Sequence, residues 1–308
     1  MKIYVAGHRG LVGSAIVRAI EDAEEHTWIG RSRQELNLLD RAAVFEYVAK
    51  ERPEWVIIAA AKVGGIQANA SYPVEFLSEN LQIETNLIDA CHAADIDRVL
   101  FLGSSCIYPK EAPQPIKEEY LLRGPLEPTN EAYALAKISG LKLISAYRSQ
   151  YNRNWISAMP TNLYGQNDNF DPVSSHVLPA LIRKFYEAEL LGMESVKLWG
   201  SGTPLREFLH VDDLAQACLF LLSNYHGDSP INVGTGVDIS ILDLARLVAK
   251  VVGFEGEITW DSSKPDGTLR KRLDTERINK LGWIAKIPLE VGLAQTFEWY
   301  KQSSEVRS

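Results

Sequence analysis

Short apolar runs alternate with longer amphipathic stretches along the first half of this chain. The runs are "KIYVA" (2–6), "HTWIG" (26–30), "WVIIAAA" (55–61), "RVLFLGS" (98–104) and "WISAMPTN" (155–162), each followed by enough residues for a crossover helix. Continuous apolar runs suit strands covered on both faces, so the rhythm predicts a parallel sheet between two layers of helices. Right-handed crossovers then give a doubly wound α/β domain with ligand sites at the carboxyl ends of the strands. From about residue 170 the order loosens. "SSHVLPALIRKFYEAELL" reads as a helix, "VKLWGSG" as a strand and turn, and "SILDLARLVAKVVG" as a helix with Ser240 as its N-cap.

The stretch "GHRGLVGSAI" sits where the first run gives way to a helix. Gly7, Gly10 and Gly13 form GxxGxxG, a variant of the dinucleotide fingerprint. One glycine makes the tight turn, the next lets backbone approach a pyrophosphate, and the third lets helix pack on strand. The helix N-terminus supplies unpaired N–H groups for the phosphates. The expected architecture is therefore a Rossmann-like domain over residues 1–170 and a smaller, mostly helical substrate lobe over 171–308. Segments near 205–235, "SPINVG" among them, are expected to return to the first sheet. Which dinucleotide binds is decided after the second run. A free ribose 2'-hydroxyl calls for an acid there and a 2'-phosphate for arginine. "TWIGRSRQELNLLD" offers Gly30, Arg31 and Arg33, and Arg9 lies in the glycine loop, so the reading favours NADP(H).

Composition narrows the partners. A formal net charge of -8 argues against nucleic acid or an acidic membrane surface, both of which need a basic footprint. There is no run of eighteen apolar residues and "MKIYVAGHRG" lacks the apolar core of a secretory signal, so a cytoplasmic protein is expected. The three cysteines, Cys91, Cys106 and Cys218, form neither a disulfide framework nor a CxxC metal motif. Cys91 and Cys218 read as buried and inert, and no metal is expected.

The chemistry lies further along. "NEAYALAK" puts Tyr133 and Lys137 four residues apart, on one face of a helix. A cation beside a phenol favours the phenolate and makes it a usable proton donor and acceptor near neutral pH. "FLGSSCIY" ends a strand and offers Ser104, Ser105 and Cys106 to the same crevice. His210, in "REFLHVDDLA", reads as structural, with Asp212 or Asp213 capping the following helix.

GxxGxxG, the strand-end serine and YxxxK together resemble the extended short-chain dehydrogenase/reductase superfamily, whose members act on nucleotide sugars. "AGHRGLVGSAI", "AAAKVGGI", "LGSSCIYPK", "EPTNEAYALAKI", "PTNLYG", "WGSGTPLREFLHVDD", "INVGTG" and "SKPDGT" carry the similarity from residue 3 to about 300. They resemble the branch that inverts C3 and C5 of GDP-4-keto-6-deoxy-D-mannose and then reduces C4.

The resemblance implies Cys106 as the base and His176 as the acid of the inversions. A 4-keto group acidifies the neighbouring C–H bonds, and inversion needs one group to take a proton and another to return it on the opposite face. Ser104 and Tyr133 would stabilise charge on O4, and Tyr133, sustained by Lys137, would protonate it during hydride transfer. Implied cofactor contacts are Gly7, His8, Arg9, Gly10, Leu11, Val12 and Gly13 in the loop, and Arg33, Asn37, Leu38 and Asp40 beyond the second strand. Leu102, Gly103, Ser104, Ser105, Lys137, Pro160, Thr161, Asn162, Leu163 and His176 complete the cofactor set. Lys184, Trp199, Arg206 and Asp266 are implied substrate contacts, and a homodimer is implied as well. Two other readings stand beside this one: a 4-epimerase or 4,6-dehydratase with tightly held NAD, and a non-catalytic NADP-sensing protein. Net consumption of NADPH separates them.

Overall fold

The computed structural model describes residues 1–263 and 266–305. Its first half runs β1 (Lys2–Ala6), α1 (Leu11–Ala23), β2 (Thr27–Ile29), α2 (Arg41–Glu51), β3 (Trp55–Ile58), α3 (Ile66–Ser71), α4 (Pro73–Ala93), β4 (Arg98–Leu102), α5 (Glu131–Tyr151) and β5 (Ile156–Pro160). There follow β6 (Asn162–Tyr164), α6 (Val177–Leu190), β7 (Ser195–Trp199), β8 (Leu205–His210), α7 (Val211–Asn224) and β9 (Ile231–Val233). The chain ends with β10 (Asp238–Ser240), α8 (Ile241–Val252), β11 (Glu257–Asp261), β12 (Arg270–Lys271), α9 (Glu276–Lys280) and α10 (Leu289–Glu305).

Six strands form one sheet in the order β2-β1-β3-β4-β5-β9, with every pairing parallel. All five early apolar runs and "SPINVG" contribute a strand to it. β3, β4 and β5 are buried at every position because helices cover both faces. One apolar layer, with Val44, Leu87, Phe101 and Leu141, lies under α2, α4 and α5; the other, with Ile16, Leu100 and Leu214, lies under α1 and α7. Strand order reverses at β1, whose neighbours are β2 and β3, so a crevice opens at the carboxyl ends of these strands.

The second core joins Leu178, Phe185, Phe208, Leu244, Val248 and Leu293 from α6, β8, α8 and α10. This part is less helical than expected. β7 pairs with β11, and β8 with β6, β10 and β12. β8 therefore does not return to the first sheet as predicted, whereas α7 and β9 do. "WISAMPTN" is likewise not one strand: β5 stays in the first sheet, and after Thr161 the chain crosses to pair with β8 as β6. Strands of two or three residues with half-exposed faces carry little periodicity, which hid them in the sequence. His210, buried at 2% exposure, itself caps α7 by accepting the Asp212 N–H, in place of either aspartate.

The two cores meet at Glu207, which has no solvent exposure. One carboxylate oxygen accepts the Gly236 N–H (2.7 Å) and the other the Leu273 N–H (2.8 Å). Its own carbonyl accepts the Asn162 amide at 2.7 Å. A methyl group at Gly234 would fall 2.2 Å from the carboxylate, so only glycine fits there. Burial pushes this carboxyl up and the N–H donors pull it back. Glu207→Gln is expected to cost about 1–3 kcal/mol in urea unfolding, because an amide must turn its own N–H toward one of those donors.

Candidate active site

At the end of β1, Gly7 adopts a positive φ of 88° and its carbonyl accepts the Gly10 N–H at 3.0 Å. A Cβ at Gly13 would lie 2.1 Å from that carbonyl, so α1 can approach β1 this closely only without a side chain. Helix α1 starts with Gly10 at the N-cap, no side-chain cap and no acid in its first turn. A Cβ at Gly10 would meet nothing closer than 3.5 Å, which leaves the turn open above the crevice. Uncapped N–H groups at an open helix start fit a pyrophosphate, with Leu11 and Val12 in that first turn.

Beyond β2, Ser32 donates its N–H and hydroxyl to Glu35 at 2.7 Å each, which holds that carboxyl below its usual range and ties it into its own turn. Arg31 leans over the Tyr47 ring at 5.3 Å and toward Glu51 at 3.8 Å. Arg33 is exposed and has no ion-pair partner among the described residues. Arg9 is exposed in the glycine loop, and His8 packs so tightly on the chain at Gly30 that a Cβ there would be 2.6 Å from its ring. Asp40, an implied cofactor contact, uses its carboxylate to cap α2 through the Ala43 N–H at 3.0 Å. Asn37 accepts the Leu39 N–H at 3.2 Å, and the Leu38 carbonyl takes the Asn86 amide at 2.9 Å.

The reactive groups gather past β4. Leu102 is buried, Gly103 donates to the Ala158 carbonyl at 2.9 Å, and a short 3-10 turn, Ser105–Ile107, follows. Within it the Cys106 thiol donates to the Ser104 hydroxyl oxygen at 2.9 Å. Cys106 is half-exposed, whereas Cys91 and Cys218 are shut in the core, where burial pushes both thiols up, Cys218 to about 12. From α5, burial pushes the Tyr133 phenol well up, and the negative charges of Cys106 and Glu84 push it further. The net direction is opposite to the lowering expected beside Lys137, because burial dominates. The Lys137 ammonium is 5.9 Å from the Tyr133 ring centroid and 3.0 Å from the Glu84 carboxylate, a residue the sequence reading missed.

A second missed residue is Lys271 on β12. Burial pushes its ammonium down while the charge of Cys106 pulls it back up, so the two share one electrostatic neighbourhood. Lys271 also acts on His176, whose imidazole is pushed down first by the surrounding protein and then by that ammonium. His176 stands at the start of α6 and its side chain makes no capping bond there. The residue is exposed to solvent. The segment before it is pinned to the start of α3 by the Gly65 N–H to the Ser174 carbonyl, 2.9 Å. A cavity of about 40 Å³ lies between Ser105, Cys106, Glu127, Asn130 and Lys271. Ser104, Cys106, Tyr133, Lys137 and Lys271 thus share one neighbourhood, with His176 joined to it through Lys271.

The implied substrate contacts fall into two pairs. Lys184 on α6 sits over the Trp199 ring at 5.7 Å, and Trp199 is 64% exposed at the end of β7, so it is not a core aromatic. Arg206 on β8 feels the charge of Asp266, which accepts the Ser201 N–H (2.9 Å) and hydroxyl (2.7 Å). Of "SKPDGT", Lys264 and Pro265 lie outside the described residues. The "PTNL" backbone is engaged: Pro160 ends β5, the Thr161 N–H donates to Val233 at 3.0 Å, and Asn162 and Leu163 lie in β6. Among the described residues no cluster of three or more His, Cys, Asp or Glu could hold a metal ion. Nor is any described helix long and apolar enough to cross a membrane.

Residues 3–234 match the model of the NAD dependent epimerase/dehydratase family. GDP-L-fucose synthase 1 of Arabidopsis thaliana is 56% identical over 299 residues, 97% of this chain and 93% of that protein. GDP-L-fucose synthase of Escherichia coli (strain K12) is 52% identical over 313 residues, 99% of this chain and 98% of that protein. A crystal structure of a GDP-L-fucose synthetase from Naegleria fowleri bound to NADP superposes with a TM-score of 0.91 at 29% identity, covering 99% of this chain and 95% of that one.

The three thiols should be separable in the folded protein. Iodoacetamide is expected to label one thiol per native chain and all three after unfolding, and Cys106→Ser to leave the native protein unlabelled, as read by intact mass.

Proposed function

The chain belongs to the NAD dependent epimerase/dehydratase family, and on that footing we propose that it converts GDP-4-keto-6-deoxy-D-mannose to GDP-L-fucose with NADPH, as a cytoplasmic homodimer. The reading is carried by a half-exposed cysteine bonded to the strand-end serine beside Tyr133 and Lys137, in a chain more than half identical to GDP-L-fucose synthases. An epimerase or dehydratase that returns its hydride has less use for arginine, with the acid tied away, where a ribose hydroxyl would lie.

The glycine loop and the open start of α1 would hold the pyrophosphate, Arg33 the 2'-phosphate and Lys137 the nicotinamide ribose. When bound, NADPH supplies the hydride for C4. Cys106 takes the proton from C3 or C5 on one face of the hexose, and His176 returns one on the other. Lys271 stands in the electrostatic neighbourhood of Cys106. Ser104 and Tyr133 donate to O4 while it carries the enolate charge, and Tyr133 later gives that oxygen its proton. Arg206 offers a forked cation to the diphosphate, and Trp199 an exposed indole to the nucleotide.

Turnover in heavy water decides the reading. The wild-type chain is expected to oxidise NADPH and give a reduced product carrying deuterium at C3 and C5. Cys106→Ser should lose the deuterium uptake with NADPH binding kept, and Tyr133→Phe should slow NADPH oxidation by about a hundredfold or more. Arg33→Ala is expected to weaken NADPH binding about tenfold and leave NADH unchanged, measured by fluorescence titration. Equal losses for both would remove Arg33 from the 2'-phosphate.

A further inference from the structure

Glu84 lies on the face of α4 packed against α5, with its carboxylate 3.0 Å from the Lys137 ammonium. Both residues are shut away from water, Glu84 at 1% exposure and Lys137 at 2%. Neither carboxylate oxygen has an aligned hydrogen bond from any group, so the ion pair is its compensation among the described residues. The helix opposite makes room for it at some cost. Gly140 lies inside α5, where glycine is about 1 kcal/mol worse than alanine. A Cβ at that position would sit 2.7 Å from the Glu84 carboxylate and 2.5 Å from the Phe101 ring. The ammonium also lies 4.8 Å from the Phe101 ring centroid and 5.9 Å from that of Tyr133. Carboxylate and rings together fix where it can be.

We infer that Glu84 is a positioning residue for the reduction: as the buried counter-charge of Lys137 it holds that ammonium in place beside Tyr133, so that the phenol can protonate O4. The inference rests on the proposed function, in which Tyr133 is that proton donor. From α4, Glu84 faces Lys137 of α5, with Tyr133 on that same helix α5 and Cys106 of the 3-10 turn beyond it. Burial pushes the Glu84 carboxyl up and Lys137 pulls it down, so the pair is held by mutual compensation in a dry site. With the carboxylate gone, the buried ammonium has no counter-charge and gives up its proton more easily. The reduction should then fail at a lower pH.

The test follows NADPH oxidation with GDP-4-keto-6-deoxy-D-mannose across pH for the wild type, E84Q and E84D. E84Q keeps the shape and removes the charge; its alkaline limb of kcat is expected about one pH unit or more below that of the wild type. KM for the GDP-sugar should stay within about twofold, because Glu84 does not reach the cleft, and E84D should bring the limb back toward the wild-type position. A folded E84Q with the wild-type limb, or one whose loss appears only in KM, overturns the inference and leaves the function standing. A wild-type chain that consumes no NADPH overturns both. If E84Q does not fold, E84Q/K137M is expected to recover stability, and a double variant no more stable than E84Q counts against the pair.

Discussion

A carboxylate without access to water, Glu207, joins the two halves of the molecule, and the geometry of the cleft depends on it. Its oxygens and carbonyl gather backbone or side chain from residues 162, 236 and 273, three segments far apart in sequence. Each brings something to the cleft. Residue 162 begins the crossing from the first sheet to the second, residue 236 follows β9, and residue 273 fixes the end of the strand that carries Lys271. Because an ionised carboxylate only accepts, it can satisfy N–H groups from separate segments at once, which no apolar side chain of that size could do.

The same economy governs the charged residues near the reaction. Lys137 is buried with one carboxylate and Lys271 stands near a thiol, while Arg33 stays in solvent. A buried cation needs a specific partner, and its position is then fixed by that partner. An exposed cation can remain mobile until an anion arrives. The difference matches the tasks proposed for them, since proton transfer to one oxygen demands fixed geometry and capture of a phosphate does not.

These distinctions explain what was legible in the sequence. β1, β3, β4 and β5 could be read because strands buried on both faces are written as unbroken apolar runs. The glycine loop, Ser104, Cys106 and Tyr133 could be read because each lies in a local motif. Glu84 and Lys271 could not, since their partners are 53 and 165 residues away, and in "QIETNL" or "LRKRL" they look like ordinary solvated charges. One local signal pointed toward the first of them: a glycine in the middle of "AKISGLKL", where a Cβ would meet the Glu84 carboxylate and the Phe101 ring. The crossing after Pro160 was invisible for a different reason. The residues on both sides of it are strand formers, and only their hydrogen-bond partners change.

The coupling between Cys106 and Tyr133 bears on the order of events in the proposed cycle. A negative charge on Cys106 makes the phenol hold its proton more tightly, beyond what burial already does. While the thiolate waits for a C–H proton, Tyr133 is therefore a poor acid, suited to donate a hydrogen bond to O4 without losing the proton. Each inversion leaves the thiol protonated and His176 without its proton, so both exchange protons with solvent before the next; after the second inversion the thiol is neutral and that repulsion is gone. Tyr133 then releases its proton more readily, at the stage when O4 becomes an alkoxide. One oxygen site can thus stabilise an enolate first and protonate an alcohol afterwards, with the charge on a neighbouring sulfur setting which of the two it does.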